Sequence, residues 1–157
     1  MLPDNLREHS AAQAVETFDS AALTGGKYDR GELTLEIAPG QIVSVCRFLK
    51  YDEKFVRLSS VTGVDRFPAE PRFEVVYHLH SIEKNQRLRL KCRLRGEDPV
   101  IESVTPVWRA ANWYEREVFD LFGIKFLNHP NLRRIMMPED WDGHPLRKDY
   151  PVTGIRV

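Results

Sequence analysis

The sequence predicts an α+β domain: a mixed, mostly antiparallel sheet of about four strands with helices on one face, followed by an extended, irregular C-terminal strap. Three observations carry this. Residues 32–38 and 72–95 alternate apolar and polar side chains, the period of half-buried strands. Residues 39–51 and 105–122 repeat apolar side chains at helical spacing. Prolines at 130, 138, 145 and 151 then exclude any long regular element, while Trp, Leu, Ile, Met and Arg keep that stretch from reading as disordered. The division expected is a domain over 1–126 and a strap over 127–157.

In chain order, residues 1–24 are expected to hold one helix, begun by Pro3 and Asp4 and ended by Gly25-Gly26. Leu33, Leu35 and Ile37 alternate with Glu32, Thr34 and Glu36 in a first strand. Pro39 opens a helix to about Tyr51, with Ile42, Val45, Cys46 and Leu49 on its inner face. A less regular strand spans 55–64. Phe73, Val75, Tyr77 and Leu79 mark the inner face of the next. The run 86–95 places Leu88, Leu90, Cys92 and Leu94 inward and Arg87, Arg89, Lys91, Arg93 and Arg95 outward. The strand–helix–strand order suggests one parallel pair, and the short connections after it suggest hairpins. For the last helix, Thr105 is the expected N-cap, Pro106 the first helical residue and Gly123 the terminator. Val107, Ala111, Tyr114, Val118 and Leu121 form its inner seam, with Arg109, Trp113, Arg116, Glu117 and Asp120 opposite.

Composition narrows the function. Lys+Arg and Asp+Glu both number 23 and the pI is near 7, which argues against a general nucleic-acid or membrane-surface binder. No apolar run approaches the roughly 20 residues of a bilayer span, and residues 1–20 carry no secretory pattern. Cys46 and Cys92 each fall on an apolar face, as buried free thiols would.

Glu115 falls on the wheel between Trp108, Phe119 and Phe122, where a carboxylate needs a partner or costs several kcal/mol, on the order of an isolated buried charge. The strap supplies cations, so the expectation is that Glu115 or Glu117 accepts a bidentate arginine from the strap or from another chain. Trp113, Trp141 and Tyr150, with the strap arginines, have the composition of an interface hot spot.

The run Trp113-Tyr-Glu-Arg-Glu-Val-Phe-Asp-Leu-Phe-Gly-Ile124 is followed by His129-Pro130, Leu132-Arg-Arg-Ile135, Met137-Pro-Glu-Asp-Trp141 and Pro145-Leu-Arg-Lys-Asp-Tyr-Pro151. Together these resemble the signature of the C subunit of NADH-quinone oxidoreductase, respiratory complex I. Phe48-Leu49, 62–65 and 73–79 extend the resemblance to roughly residues 30–151. It implies a peripheral-arm subunit on the cytoplasmic side of a bacterial inner membrane, beside the quinone-site subunit and the iron–sulfur subunits. The complex would contain FMN and iron–sulfur clusters and use NADH and quinone, with no cofactor on this chain. The cysteines agree, since a cluster normally takes four in tight spacing and this chain has two apart; nor does a Gly-rich dinucleotide turn follow any strand. The signature residues expected to serve structure or partner are Glu115, Arg116, Glu117, Asp120, His129, Arg133, Arg134, Trp141, Leu146, Arg147, Lys148, Asp149 and Tyr150. Of these, Arg133, Arg134, Arg147, Lys148 and Asp149 would make charge-assisted contacts with a neighbour. Leu132, Ile135, Met136 and Leu146 would fill its pockets, and Arg147 would meet a partner carboxylate.

A homologous subunit of a membrane-bound hydrogenase or a photosynthetic-type oxidoreductase is a neighbouring reading. The basic row on 87–95 admits an RNA-binding module, but no stacking aromatics accompany it, and pairing with acids such as Glu74 across strands is the plainer expectation. His78 with His80, or His129 and His144 with Asp140 and Asp142, lack metal-site spacing; imidazoles bonded to backbone in His-Pro turns are expected for the latter pair.

Overall fold

A computed structural model describes residues 4–153; Pro3, part of the expected helix start, and the last four residues of the strap lie outside them. The elements are α1 (Ser10–Phe18), β1 (Leu23–Asp29), β2 (Glu32–Ile37), α2 (Ile42–Tyr51), β3 (Arg57–Asp65), β4 (Phe73–Ser81), β5 (Gln86–Leu94), β6 (Val100–Glu102), α3 (Ala111–Phe122) and β7 (Lys125–Leu127). The main sheet has five strands in the order β1-β2-β5-β4-β3, and β6 pairs with β7 in a small parallel ladder.

The α+β class and the mostly antiparallel sheet stand as expected, with one parallel pair. That pair joins β2 to β5, not the two strands flanking α2. The chain crosses from β2 through α2 to the far edge, and two antiparallel steps return it to β5 beside β2. The fifth strand is a correction. Gly25 and Gly26 do not end a helix; they lie within β1, paired with Glu36 and Leu35. A Cβ on Gly26 would sit 2.8 Å from both Leu6 Cδ1 and the Thr34 carbonyl oxygen. Glycine is there because the strand passes too close to its neighbours for any side chain.

Sheet alternation divides the domain into a core face and a charged face. Leu35, Tyr77, Leu90 and Cys92 point inward and join Val15 of α1, Val45 and Leu49 of α2, and Val118 of α3 in one apolar cluster. Cys46 and Cys92 are both buried free thiols, as expected, and burial pushes both upward in pKa. On the other face the basic row of β5 meets acids from its neighbours: Arg89 with Glu32, Lys91 with Glu74 and Arg93 with Glu36. This matches the expected cross-strand pairing.

The last helix begins five residues later than expected, at Ala111 instead of Pro106. Thr105 Oγ1 lies 2.8 Å from Ser103 Oγ instead of capping, and residues 105–110 form turns. The buried Trp108 indole donates to the Val56 carbonyl at 3.0 Å, and Lys50 Nζ donates to the Val107 carbonyl at 2.6 Å, which fixes those turns against α2 and β3. Gly123 ends α3 in the left-handed conformation (φ 73°) that glycine adopts without strain. Near the same end, Phe122 packs on Gly63 of β3, where a Cβ would sit 2.8 Å from the ring. That contact seats α3 on the sheet edge.

Candidate functional site

One buried carboxylate on α3 and one at the end of β3 hold the strap. Asp120 is wholly buried, although the helical wheel put it on the polar side. Its Oδ2 accepts the amides of Ile135 (3.1 Å), Met136 (2.7 Å) and Met137 (2.9 Å), and its Oδ1 accepts Arg134 Nη1 at 3.0 Å. Burial works to raise its pKa; the three amide hydrogen bonds and the Arg134 charge outweigh that and hold it below the usual carboxylate range. Arg134 also donates to the Gly143 carbonyl at 2.9 Å, closing the strap into a loop over the helix.

The C-terminal carbonyls of α3, which lack partners within the helix, are taken by the strap. Leu146 N–H donates to Leu121 O at 3.0 Å, Arg147 Nε to Phe122 O at 2.6 Å, and His144 Nδ1 to Asp120 O at 2.9 Å. A cation at that terminus also complements the helix dipole. The Arg147 guanidinium lies 5.2 Å from the Phe73 ring centroid, so it is engaged inside the chain and not held out for a partner carboxylate.

The third anchor is a clamp around Arg72, between Phe67 and Phe73 rings at 4.7 and 4.8 Å. Its Nε and Nη2 donate to the two oxygens of Asp65, each at 2.9 Å. Its Nη1 and Nη2 donate to Asp149 at 3.2 and 2.7 Å. The Lys148 amide adds a bond to Asp65 Oδ2 at 2.8 Å. Burial favours a higher Asp65 pKa, but the bonds from Arg72 and from the Lys148 and Phe67 amides bring it to about 2. Neither Asp65 nor Arg72 was singled out from the sequence. The available signal was an arginine directly before the most apolar strand, with an aspartate closing the strand before it.

Glu115 is buried and does need partners, as expected, but they are not arginine. Val104 N–H (2.7 Å) and Ser103 Oγ–H (2.6 Å) donate to it, and His129 Nε2 stands 3.8 Å away. Burial raises its pKa, the Ser103 and Val104 bonds lower it in part, and the result is about 7. The Asn131 amide donates to His129 Nδ1 at 3.0 Å, so the neutral ring carries its proton on Nε2, 3.2 Å from the Asn112 carbonyl. His129 and His144 are therefore bonded to backbone in their His-Pro turns, as expected. Glu117 is exposed on the outer side of α3.

The remaining signature residues sit on the outside. Arg116 donates to the Arg133 carbonyl at 3.1 Å and covers Trp113, while Arg133 pairs with Glu139. Trp141 Nε1 donates to Tyr150 Oη at 3.1 Å. Lys148 is exposed, as are Ile135, Met136, Trp141 and Leu146; Met136 is 63% and Leu146 52% exposed. Of the four apolar residues expected to face a partner, only Leu132 packs against the domain's own core. The strap's charges are thus spent largely inward and its apolar side chains are presented outward, on a backbone fixed by buried carboxylates. Among the described residues, no group of three or more His, Cys, Asp or Glu is placed to hold a metal ion. No helix there is long and apolar enough to cross a membrane.

The sequence model of the family described as respiratory-chain NADH dehydrogenase, 30 Kd subunit, matches residues 35–156. The NADH-quinone oxidoreductase C subunit of Geobacter sulfurreducens is 52% identical over 126 residues, spanning 80% of this chain and 78% of that protein. The C subunit of Geotalea uraniireducens is 48% identical over 139 residues, 88% of this chain and 84% of its own. Among solved structures, the trypsin-resistant fragment (1–134) of Nqo5 aligns over 76% of this chain and 97% of its own length, with TM-score 0.67 and 29% identity. A chain of the archaeal membrane-bound sulfane sulfur reductase, described as a respiratory membrane complex, aligns over 92% of this chain and 85% of its own, with TM-score 0.78 and 27% identity.

Proposed function

The chain belongs to the family of the 30 Kd subunit of respiratory-chain NADH dehydrogenase, the C-subunit type of NADH-quinone oxidoreductase, and from that premise we propose that it is a cofactor-free assembly subunit of the complex's peripheral arm. The observation that carries the proposal is the strap. Ile135, Met136, Trp141 and Leu146 stay exposed on a segment without regular secondary structure, pinned by Asp120, Asp65 and Arg72. Apolar and aromatic groups held rigidly in the open are the anchors of a protein interface, because little entropy is lost when a partner covers them. Interfaces of stable complexes can exceed about 2,000 Å² and are rich in such side chains.

In this reading electrons pass from NADH through FMN and iron–sulfur clusters to quinone on neighbouring subunits, and this chain supports their spacing. Its own donors fit no cluster: Cys46 and Cys92, its two cysteines, are buried in the apolar core, short of the four thiolates a cluster normally takes. Its neighbours would be the quinone-site subunit and the adjacent iron–sulfur subunits, on the cytoplasmic side of the membrane, which it reaches only through the complex. The likeness to the sulfane sulfur reductase chain supports a second reading, the equivalent subunit of another membrane-bound respiratory complex.

The test is Met136→Glu with Leu146→Glu. Both sites are exposed, so the isolated chain should keep its melting temperature, since surface changes cost within about 0.5 kcal/mol. Co-purification with iron–sulfur and quinone-site subunits should be lost. Undiminished co-purification, or a parallel loss of melting temperature, would count against the strap as the docking surface.

A further inference from the structure

On the outer face of the sheet the charge pairing stops at one end. Along β5, Arg89, Lys91 and Arg93 each meet a carboxylate. In the last full row, register aligns Arg57 of β3, His80 of β4 and Arg87 of β5. None of the three side chains has a hydrogen-bond or ion-pair partner among the described residues. In a chain of zero formal charge, this is a local cationic excess.

The row lines a cavity of about 500 Å³. Adjacent strands lie about 4.8 Å apart, so Arg57 and Arg87 flank His80 at a separation of about 10 Å, within reach of one small anion between them. The irregularity of β3 between Leu58 and Ser60 brings Ser59 and Ser60 to the same cavity. His78 is arranged to leave one of these hydroxyls available. Its Nε2 accepts Arg89 Nε at 3.2 Å, so its proton is on Nδ1 and donates to Ser60 Oγ at 3.0 Å. The Ser60 O–H then remains free to donate. The carboxylate in the lining, Glu32, is neutralised by Arg89 Nη2 at 2.5 Å.

We propose that this cavity is a binding site for a phosphate-class oxyanion. Two guanidinium forks, an imidazole and a hydroxyl line one cavity and supply more donors than the two oxygens of a monocarboxylate take up; a tetrahedral dianion matches them. The site lies at the opposite end of the β3–β4 ladder from the Asp65–Arg72 clamp, so it stands apart from the strap surface.

The experiment follows amide resonances of the full chain during titration with sodium phosphate against sodium chloride at matched ionic strength. A second arm measures sedimentation with phosphatidylcholine vesicles with and without phosphatidic acid. Saturable phosphate shifts at Ser60, His80 and Arg87 are expected. They should weaken about tenfold or more in R57Q/R87Q, which removes two charge-assisted donors, and persist in R95Q/R109Q, which removes the same charge elsewhere. Binding confined to phosphatidic-acid vesicles with that variant pattern would assign the site to a lipid headgroup. Shifts that rise linearly as with chloride and no vesicle binding, or equal losses in the two double variants, would overturn it.

Discussion

Replacing Asp120 by alanine isolates what holds the strap in place. The wild-type carboxylate is fully buried and accepts three consecutive amides and one guanidinium. Removing it leaves Arg134 without its anion in a mostly buried setting, a change worth about 3–5 kcal/mol for a broken buried pair. The domain core makes none of these bonds, so the loss should appear as local opening. Amides 135–137 lose their acceptor directly, and the informative reporters are farther away: Leu146 N–H on Leu121 O, and Lys148 N–H on Asp65. If the strap docks as one unit, both should exchange hydrogen at least about 100-fold faster, since 1.4 kcal/mol is tenfold and about 3 kcal/mol is lost. Amides of Tyr77 and Leu90 in the central strands should hold their protection. Asp120→Asn keeps an oxygen for the amides but turns an NH₂ toward Arg134, so it should fall between, at about 1.5–3 kcal/mol. Unchanged exchange at 146 and 148 would refute the single-unit strap. An equal rise at Tyr77 and Leu90 would refute the separation of strap from core.

Glu115 gives a pH signature. Its folded pKa of about 7 stands above the ordinary 4.5, so the stability tied to its protonated form is complete below pH 4.5 and is lost as pH rises through 7. The shift corresponds to about 3 kcal/mol. Glu115→Gln should flatten the stability–pH curve across that window in urea melts, and a variant curve parallel to wild type would exclude the assignment. Gly63→Ala should drive a methyl group into the Phe122 ring, costing about 1–3 kcal/mol by overpacking. A melting temperature unchanged by that substitution would show that α3 is seated elsewhere.

How far the sequence disclosed this molecule depended on whether a residue's surroundings were local. β2, β4 and β5 were legible because alternation over six to nine residues repeats one buried face. β1 was not, because Gly25 and Gly26 serve a close approach to Leu6 and Thr34 that only the folded sheet creates. The late start of α3 was hidden for a like reason: Trp108 and Lys50 tie residues 107–108 to distant segments, and this overrides a well-formed Thr-Pro start. Asp120 shows where the helical wheel fails. Polar periodicity marks the face turned from the core, but the strap covers that face and buries the aspartate. For Glu115 the need for partners was visible and their identity was not, since Ser103 and Val104 precede it by about three helical turns' worth of chain folded back as a loop. The aromatic and apolar residues of the strap were recognisable as unusual company for so many prolines. That Arg134 and Arg147 turn inward required the positions of Asp120 and Phe122.

The clamp at Arg72 has a bearing on manufacture. Every socket that receives the strap, from Asp65 and Arg72 to Asp120 and Phe122, is encoded upstream of the segment that fills it. During synthesis the residues that supply these carboxylates and carbonyls leave the ribosome before Lys148 and Asp149, so the clamp cannot close until those later residues emerge. A chain cut short, or one whose β3–β4 corner has not closed, cannot display Met136 and Leu146 in their final arrangement. The exposed apolar surface therefore signals to any incoming neighbour that the Asp65–Arg72 clamp has closed on Asp149.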